Sequence, residues 1–242
     1  SRPPPSRPPP PCPTTRPVIQ RPAVPPPPNL TFKFSRWLVP DLELPDVSSM
    51  SRIHKASVDG DVGAIQVEVF KDPECARRLL NGSLWNSLFF AASSGKAEAV
   101  RALVGEPARV GVNSADSTGK TVLMRAIEKG HLEVAKILVS SGASVNVKNS
   151  IISPLDLACS LGHVEIVQLL LDASADVNWV GTDGLRTPPL ITAVSKGNAE
   201  ALRRMLIHSR GEVKVNITNE KKETALHVAS GIGSVECVKA LI

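Results

Sequence analysis

The sequence predicts an all-α solenoid of helix–turn–helix repeats with short hairpin loops, preceded by a disordered proline-rich N-terminal tail. Two observations carry this. A set of markers recurs at a nearly constant period through residues 51–242, and 16 of the 21 prolines fall at or before Pro45. The expected boundaries are a basic tail over residues 1–46 and a repeat domain over 47–242, of about six units with the first degenerate and the last truncated.

In residues 1–28 proline removes backbone donors and fixes φ, so the segment favours extended polyproline II and builds no core. The first forty residues hold Arg2, Arg7, Arg16, Arg21, Lys33 and Arg36 and no acid. The whole chain carries +5, so the sequence beyond residue 40 is one unit negative, and the pI near 9.2 describes the tail rather than the repeats. A basic pI is therefore no ground for assigning a specific nucleic-acid partner. Residues 29–50 carry Phe32, Phe34 and Trp37, which read either as a short linear motif or as a cap on the first repeat.

The period is set by six alanines, Ala56, Ala91, Ala126, Ala158, Ala193 and Ala229, separated by 35, 35, 32, 35 and 36 residues. Three positions before each lies an apolar residue (Ile53, Leu88, Leu123, Leu155, Leu190, Leu226). Four positions after each lies glycine (Gly60, Gly95, Gly130, Gly162, Gly197, Gly233). From the second unit on, glutamate follows each glycine by three positions, at Glu98, Glu133, Glu165, Glu200 and Glu236, and a core position follows five later, at Leu103, Leu138, Leu170, Met205 and Leu241. The apolar residue and the small alanine share one face of a short first helix. Glycine ends that helix in the left-handed conformation. The second helix carries an apolar stripe at 3.6-residue spacing, as in HLEVAKILV and HVEIVQLLL. Neither helix buries its stripe alone, so the units must stack.

Residues 116–146, DSTGKTVLMRAIEKGHLEVAKILVSSGASVN, resemble a nearly complete ankyrin repeat, as do residues 153–178 and, in part, 223–242. The family's T-P-L-H-x-A pattern is partly met as TVLMRA, SPLDLA and TALHVA. The resemblance is weakest in the first unit, which lacks the second-helix leucines and is interrupted by Pro73. It implies a cupped-hand architecture in which hairpin loops form fingers and first helices form a palm. It also implies that the histidine after the repeat glycine hydrogen-bonds a neighbouring turn.

Features that look like chemistry have structural readings in this register. Thr118-Gly119-Lys120-Thr121 resembles the end of a phosphate-binding loop, but Ser114 stands where the first glycine is needed and no strand pattern precedes it. His131 and His163 each begin an H-x-E triplet, yet the pair recurs once per unit instead of converging on one site. No catalytic, cofactor-binding or metal site is expected, and the chain is read as a non-enzyme. The pairs Val112-Asn113, Val145-Asn146, Val177-Asn178 and Val215-Asn216 end four units and are expected to hydrogen-bond between stacked loops. Cys12, Cys75, Cys159 and Cys237 have no metal-ligand spacing and suit reduced thiols of the cytoplasm or nucleus. No apolar run is long enough for a transmembrane segment.

A partner protein is expected to bind where the pattern is broken. The fifth finger is the longest, with twelve steps from Asn178 to Leu190 against nine or ten elsewhere. It presents Trp179, Val180, Asp183 and Arg186, of which tryptophan and arginine are hot-spot residue types. The alternative for Trp179 is to fold back over the neighbouring repeat. The fourth finger offers Lys148, Ile151 and Ile152, and on the palm Arg125, Glu128, Lys129, Leu157, Thr192 and Lys196 are expected to face outward. Two R-x-x-P-x-x-P matches, within Arg2–Pro13, would suit SH3-like or WW domains if the tail is more than a linker. The expected function is a monomeric interaction scaffold or adaptor. The alternative is a recruiting domain of a larger enzyme, a kinase or ubiquitin ligase, since the sequence starts with Ser and stops inside the periodic SVECVKALI.

Overall fold

The computed structural model describes residues 51–79, 85–147, 152–180, 187–208 and 213–242, all within one compact unit. The expectations for residues 1–50 lie outside the described residues. The secondary structure is α1 (Arg52–Asp59), α2 (Val62–Lys71), α3 (Ser87–Ser93), α4 (Ala97–Val104), α5 (Val122–Glu128), α6 (Leu132–Ser140), α7 (Pro154–Leu161), α8 (Val164–Asp172), α9 (Pro189–Ser195), α10 (Ala199–His208), α11 (Ala225–Gly231) and α12 (Val235–Leu241). Among the described residues there is no strand, and isolated bridges join Ala115 to Thr121 and Thr218 to Thr224 at the bases of two fingers.

The helices pair into six units and form two layers. Odd-numbered helices pack side by side from α1 to α11, and even-numbered helices do the same from α2 to α12. Helices of seven to ten residues are marginal on their own, so their ends are held locally and their faces by neighbours. Asn86, Thr121, Ser153 and Thr224 cap α3, α5, α7 and α11 with side-chain oxygens, and Pro154 and Pro189 occupy first-turn positions that need no donor. All six signature alanines are buried, together with five of the six apolar residues ahead of them; Leu226 in the last unit is the exception at 42% exposure.

Two ladders run between units. The first involves the repeat glycines. Gly95 has φ +69°, and a Cβ there would lie 2.7 Å from the ring of His131 in the next unit; at Gly130 it would lie 3.0 Å from the His163 ring. Left-handed backbone and close approach both demand glycine at these positions. Lys96 packs on Gly60 and Asn198 on Gly162 in the same way. The expected histidine role is seen directly at His131, whose Nε2 lies 3.1 Å from the Ser93 carbonyl, and Asn198 donates to the Cys159 carbonyl at 2.6 Å.

The second ladder is the asparagine one. Asn113 accepts from Ser144 N at 2.8 Å and donates to the Gly142 carbonyl at 3.3 Å. Asn146 accepts from Asp176 N at 2.8 Å and donates to the Ser174 carbonyl at 3.0 Å, while Asn178 accepts from Lys214 N at 2.8 Å. The second to fifth units are thereby bolted together at both ends of their helices.

The first unit departs from the others as its sequence suggests. Helix α2 stops at Lys71, short of Pro73, and a single 3-10 turn over Cys75–Arg77 buries Ala76. It seals the stack through Ile65 and Val69, yet leaves Phe70 87% exposed.

Candidate binding face

The palm is built from α3, α5, α7, α9 and α11. The Thr118–Thr121 run is a finger hairpin, not a phosphate loop. Asp116 Oδ1 accepts from Thr118 N, Thr118 Oγ1 and Lys120 N at 2.8, 2.6 and 3.0 Å, Gly119 turns with φ +81°, and Thr121 caps α5. The sixth unit repeats the design, with Asn219 Oδ1 accepting from Glu223 N at 2.9 Å and Lys222 at φ +61° in the glycine's place.

Two palm residues expected to face outward do not. Arg125 is only 5% exposed. Its guanidinium donates to Glu128 at 2.7 Å and to Asp116 at 3.3 Å, and stacks 4.7 Å above the buried indole of Trp85. Lys120 completes the cluster by donating to the other oxygen of Glu128 at 2.8 Å. Arg125 therefore ties finger to palm, because a planar guanidinium satisfies carboxylates and an aromatic face at once. Glu128 remains at the edge, half-buried and committed to that network.

Thr192 is the second correction, at 7% exposure. Its hydroxyl hydrogen-bonds the Asp156 carboxylate of the preceding unit. Asp156 stands at the register position that Met124 and Ile191 occupy in the adjoining units. Burial pushes its pKa up from 3.8 to about 6, opposed in part by the Thr192 bond, and its Oδ1 has no hydrogen-bond partner. Beside it, burial and then the Asp156 charge raise the pKa of the Cys159 thiol, so it stays neutral, with Met205 sulfur at 3.9 Å.

The remaining expected residues divide clearly. Lys129 and Lys196 are exposed and Leu157 is half-buried against the core. Trp179 is half-buried, with its backbone N–H on the Asp176 carbonyl at 3.4 Å, and Val180 is exposed. Ile152 is half-buried. Lys148, Ile151, Asp183 and Arg186 lie outside the described residues, so the fourth and fifth fingers are represented here only by their bases. Sequence reasoning missed Leu161, which ends α7 with 38% exposure, and Val228 and Ile232 on the last unit. Comparing the residues that precede each repeat glycine would have found two of them: Asp59, Ser94, Lys129, Leu161, Lys196 and Ile232 occupy that position in order.

Among the described residues no helix is long and apolar enough to cross a membrane. The family model described as ankyrin repeats, in three copies, matches residues 54–149 and 155–242. The chain is 34% identical over 119 residues to the probable 26S proteasome regulatory subunit p28 of Saccharomyces cerevisiae, covering 48% of this chain and 51% of that protein. It is 29% identical over 198 residues to the E3 ubiquitin-protein ligase XBAT33 of Arabidopsis thaliana, covering 81% and 36%. It is also 29% identical over 157 residues to the human transient receptor potential cation channel subfamily A member 1, covering 64% and 14%. The chain thus spans about half or less of the length of each of these relatives. With the family model matched along both halves of the stack and both ladders in register, the chain belongs to the ankyrin-repeat family.

Proposed function

We propose that this chain is a protein-interaction scaffold or adaptor that holds its partner against the palm and the finger loops. The observation that carries the reading is the division of labour between positions. Glycine, histidine and asparagine sites repeat because they bolt units together, whereas palm positions change chemistry from unit to unit. A repeated frame with a variable face is a recognition surface, not a reaction centre, and no catalytic role is assigned to any residue. Trp179 and Val180 at the fifth finger, with Asp183 and Arg186 beyond them, are the proposed anchor, and Lys148, Ile151 and Ile152 the proposed neighbouring contact. The tail segment Arg2–Pro13 would add an SH3-like or WW contact. Three thiols among the described residues are free, which fits the cytoplasm or nucleus.

A second reading, a recruiting domain of a larger enzyme, is favoured by one observation: the ubiquitin-ligase relative aligns along 81% of this chain while the chain covers 36% of it. The test is an affinity pull-down with the wild-type chain, a Trp179→Ala/Lys196→Glu palm variant, and an Arg204→Ala control on the opposite helix layer. Proteins lost with the palm variant and kept with the control are the expected result. A recovered set that does not differ between palm variant and control would retire the interaction reading.

A further inference from the structure

The palm changes character after the third unit. On α5 the charged side chains of Arg125 and Glu128 are committed to contacts with Asp116, Lys120 and each other. On α7, Leu157 and Leu161 lie four residues apart on one face, and on α11 Val228 and Ile232 repeat the pair, with Leu161 38% and Ile232 50% exposed. Between them α9 offers Thr192, which is buried, and Lys196, which is exposed. Leu161, Lys196 and Ile232 each immediately precede a repeat glycine, and α7, α9 and α11 pack consecutively, so the three side chains form one line across the stack. One position before them stand Ser160, Ser195 and Gly231. Both serine hydroxyls turn onto their own helix, donating to the Leu157 and Thr192 carbonyls at 2.8 and 2.9 Å. The surface beside the line therefore consists of small residues whose hydroxyl donors are already used.

Exposed charge on this half of the palm has one sign. Of the residues that form α7, α9, α11 and their caps, Asp156 and Lys196 alone are Asp, Glu, Lys or Arg, and Asp156 is buried. An occupant thus meets apolar, cationic and apolar contacts in that order. Spacing then selects its backbone. Neighbouring packed helices lie about 8–10 Å apart. Seven residues of α-helix rise about 10.5 Å and return to the same face within about 20°. An extended chain covers that distance in about three residues, which turns successive contacts to opposite faces. A helix laid across α7, α9 and α11 keeps all three contacts on one side, and a strand does not.

We propose that α7, α9 and α11 form the docking face for an amphipathic helix of a partner protein. Apolar residues at i and i+14 rest on Leu161 and Ile232, and an acidic residue at i+7 pairs with Lys196. This rests on the interaction reading and specifies its partner's backbone and charge. Residues 1–40 of the chain hold six cations, no acid and many prolines, so they have the wrong sign and the wrong composition for that helix. A nucleic acid would use Lys196 and be indifferent to Leu161 and Ile232.

The probe is a fluorescent, end-capped peptide of about twenty residues on an alanine–glutamine background. It carries leucine at i, i+3, i+11 and i+14, to meet the Leu157/Leu161 and Val228/Ile232 pairs, and glutamate at i+7. A second peptide of the same composition moves the glutamate to i+9, on the opposite face, and a third replaces it with lysine. Each is titrated against the full 242-residue chain by anisotropy. The first is expected to bind and to gain helical circular dichroism on binding. Its affinity should fall about tenfold with Lys196→Glu and several-fold with Leu161→Ser or Ile232→Ser, and the lysine peptide should prefer the Lys196→Glu variant. All three replaced side chains are exposed, and unchanged thermal melting shows that the variants fold. Equal binding of the first and second peptides, binding without gain of helix, or affinity indifferent to both serine variants would overturn the docking face. So would an oligonucleotide that displaces the peptide and binds the wild type and both serine variants equally. If the first peptide does not bind while the pull-down still yields palm-dependent proteins, the helix is wrong and the interaction reading stands. If the pull-down yields none, both fall.

Discussion

The third and fourth repeats each bury a charge-bearing side chain in the palm and treat it in opposite ways. In the third, Arg125 meets two carboxylates, Asp116 and Glu128, and the face of Trp85, so its charge is balanced and the hairpin is anchored, although its buried Nε has no hydrogen-bond partner. In the fourth, Asp156 meets the Thr192 hydroxyl and no cation among the described residues, one oxygen is left without a partner, and its pKa is about 6. Identical helical frames can therefore hold a rigid ionic anchor in one unit and an under-satisfied carboxylate in the next. The frame depends on the ladders, and the palm is left to vary.

The contrast can be broken most severely at Arg125. Arg125→Met leaves Asp116 and Glu128 buried or half-buried without the guanidinium, and a loss on the order of 3 kcal/mol is expected in urea unfolding. A loss below about 1 kcal/mol would mean that Lys120 neutralises both carboxylates and that the anchor is redundant.

At Asp156 the expected sign is reversed. The folded-state pKa is raised, so wild-type stability is greatest below about pH 4, declines as the pH rises to about 6, and stays low above that. Asp156→Asn should remove this slope and stabilise the chain at pH 7 by on the order of 2 kcal/mol. Melting curves for the two proteins that run parallel between pH 4 and 6 would show that the carboxylate is solvated after all.

Thr192→Val sharpens the same comparison with a smaller effect. Losing the hydroxyl that favours the ionised Asp156 should cost about 1 kcal/mol at pH 7 and nearly nothing below pH 4, and the falling limb should extend past pH 6. A loss independent of pH would assign Thr192 a packing role alone.

Much of this architecture was legible because it repeats. The ladder glycines and asparagines keep one residue type at one offset, and histidine recurs beside the glycine in two units, so Gly95 and His131, or Asn113 and Asn146, could be placed before any contact was known. Arg125 and Thr192 were misjudged for the complementary reason. A polar residue on a first helix reads as solvent-facing unless its partner is known, and the partners, Trp85 with Asp116 and Asp156, come from other positions with no periodic signal. Leu161 was overlooked because, inside its own unit, it completes an ordinary apolar helix; only alignment with Lys129 and Lys196 shows it as a departure.

By itself the sequence determined the repeat unit, its register, the helix ends and the stitching between units, since these follow from local backbone conformation, capping and apolar periodicity. The tertiary structure alone decided which palm side chains are buried and which carboxylate keeps an oxygen without a partner. Burial depends on what the adjacent repeats contribute, and no single repeat contains that information.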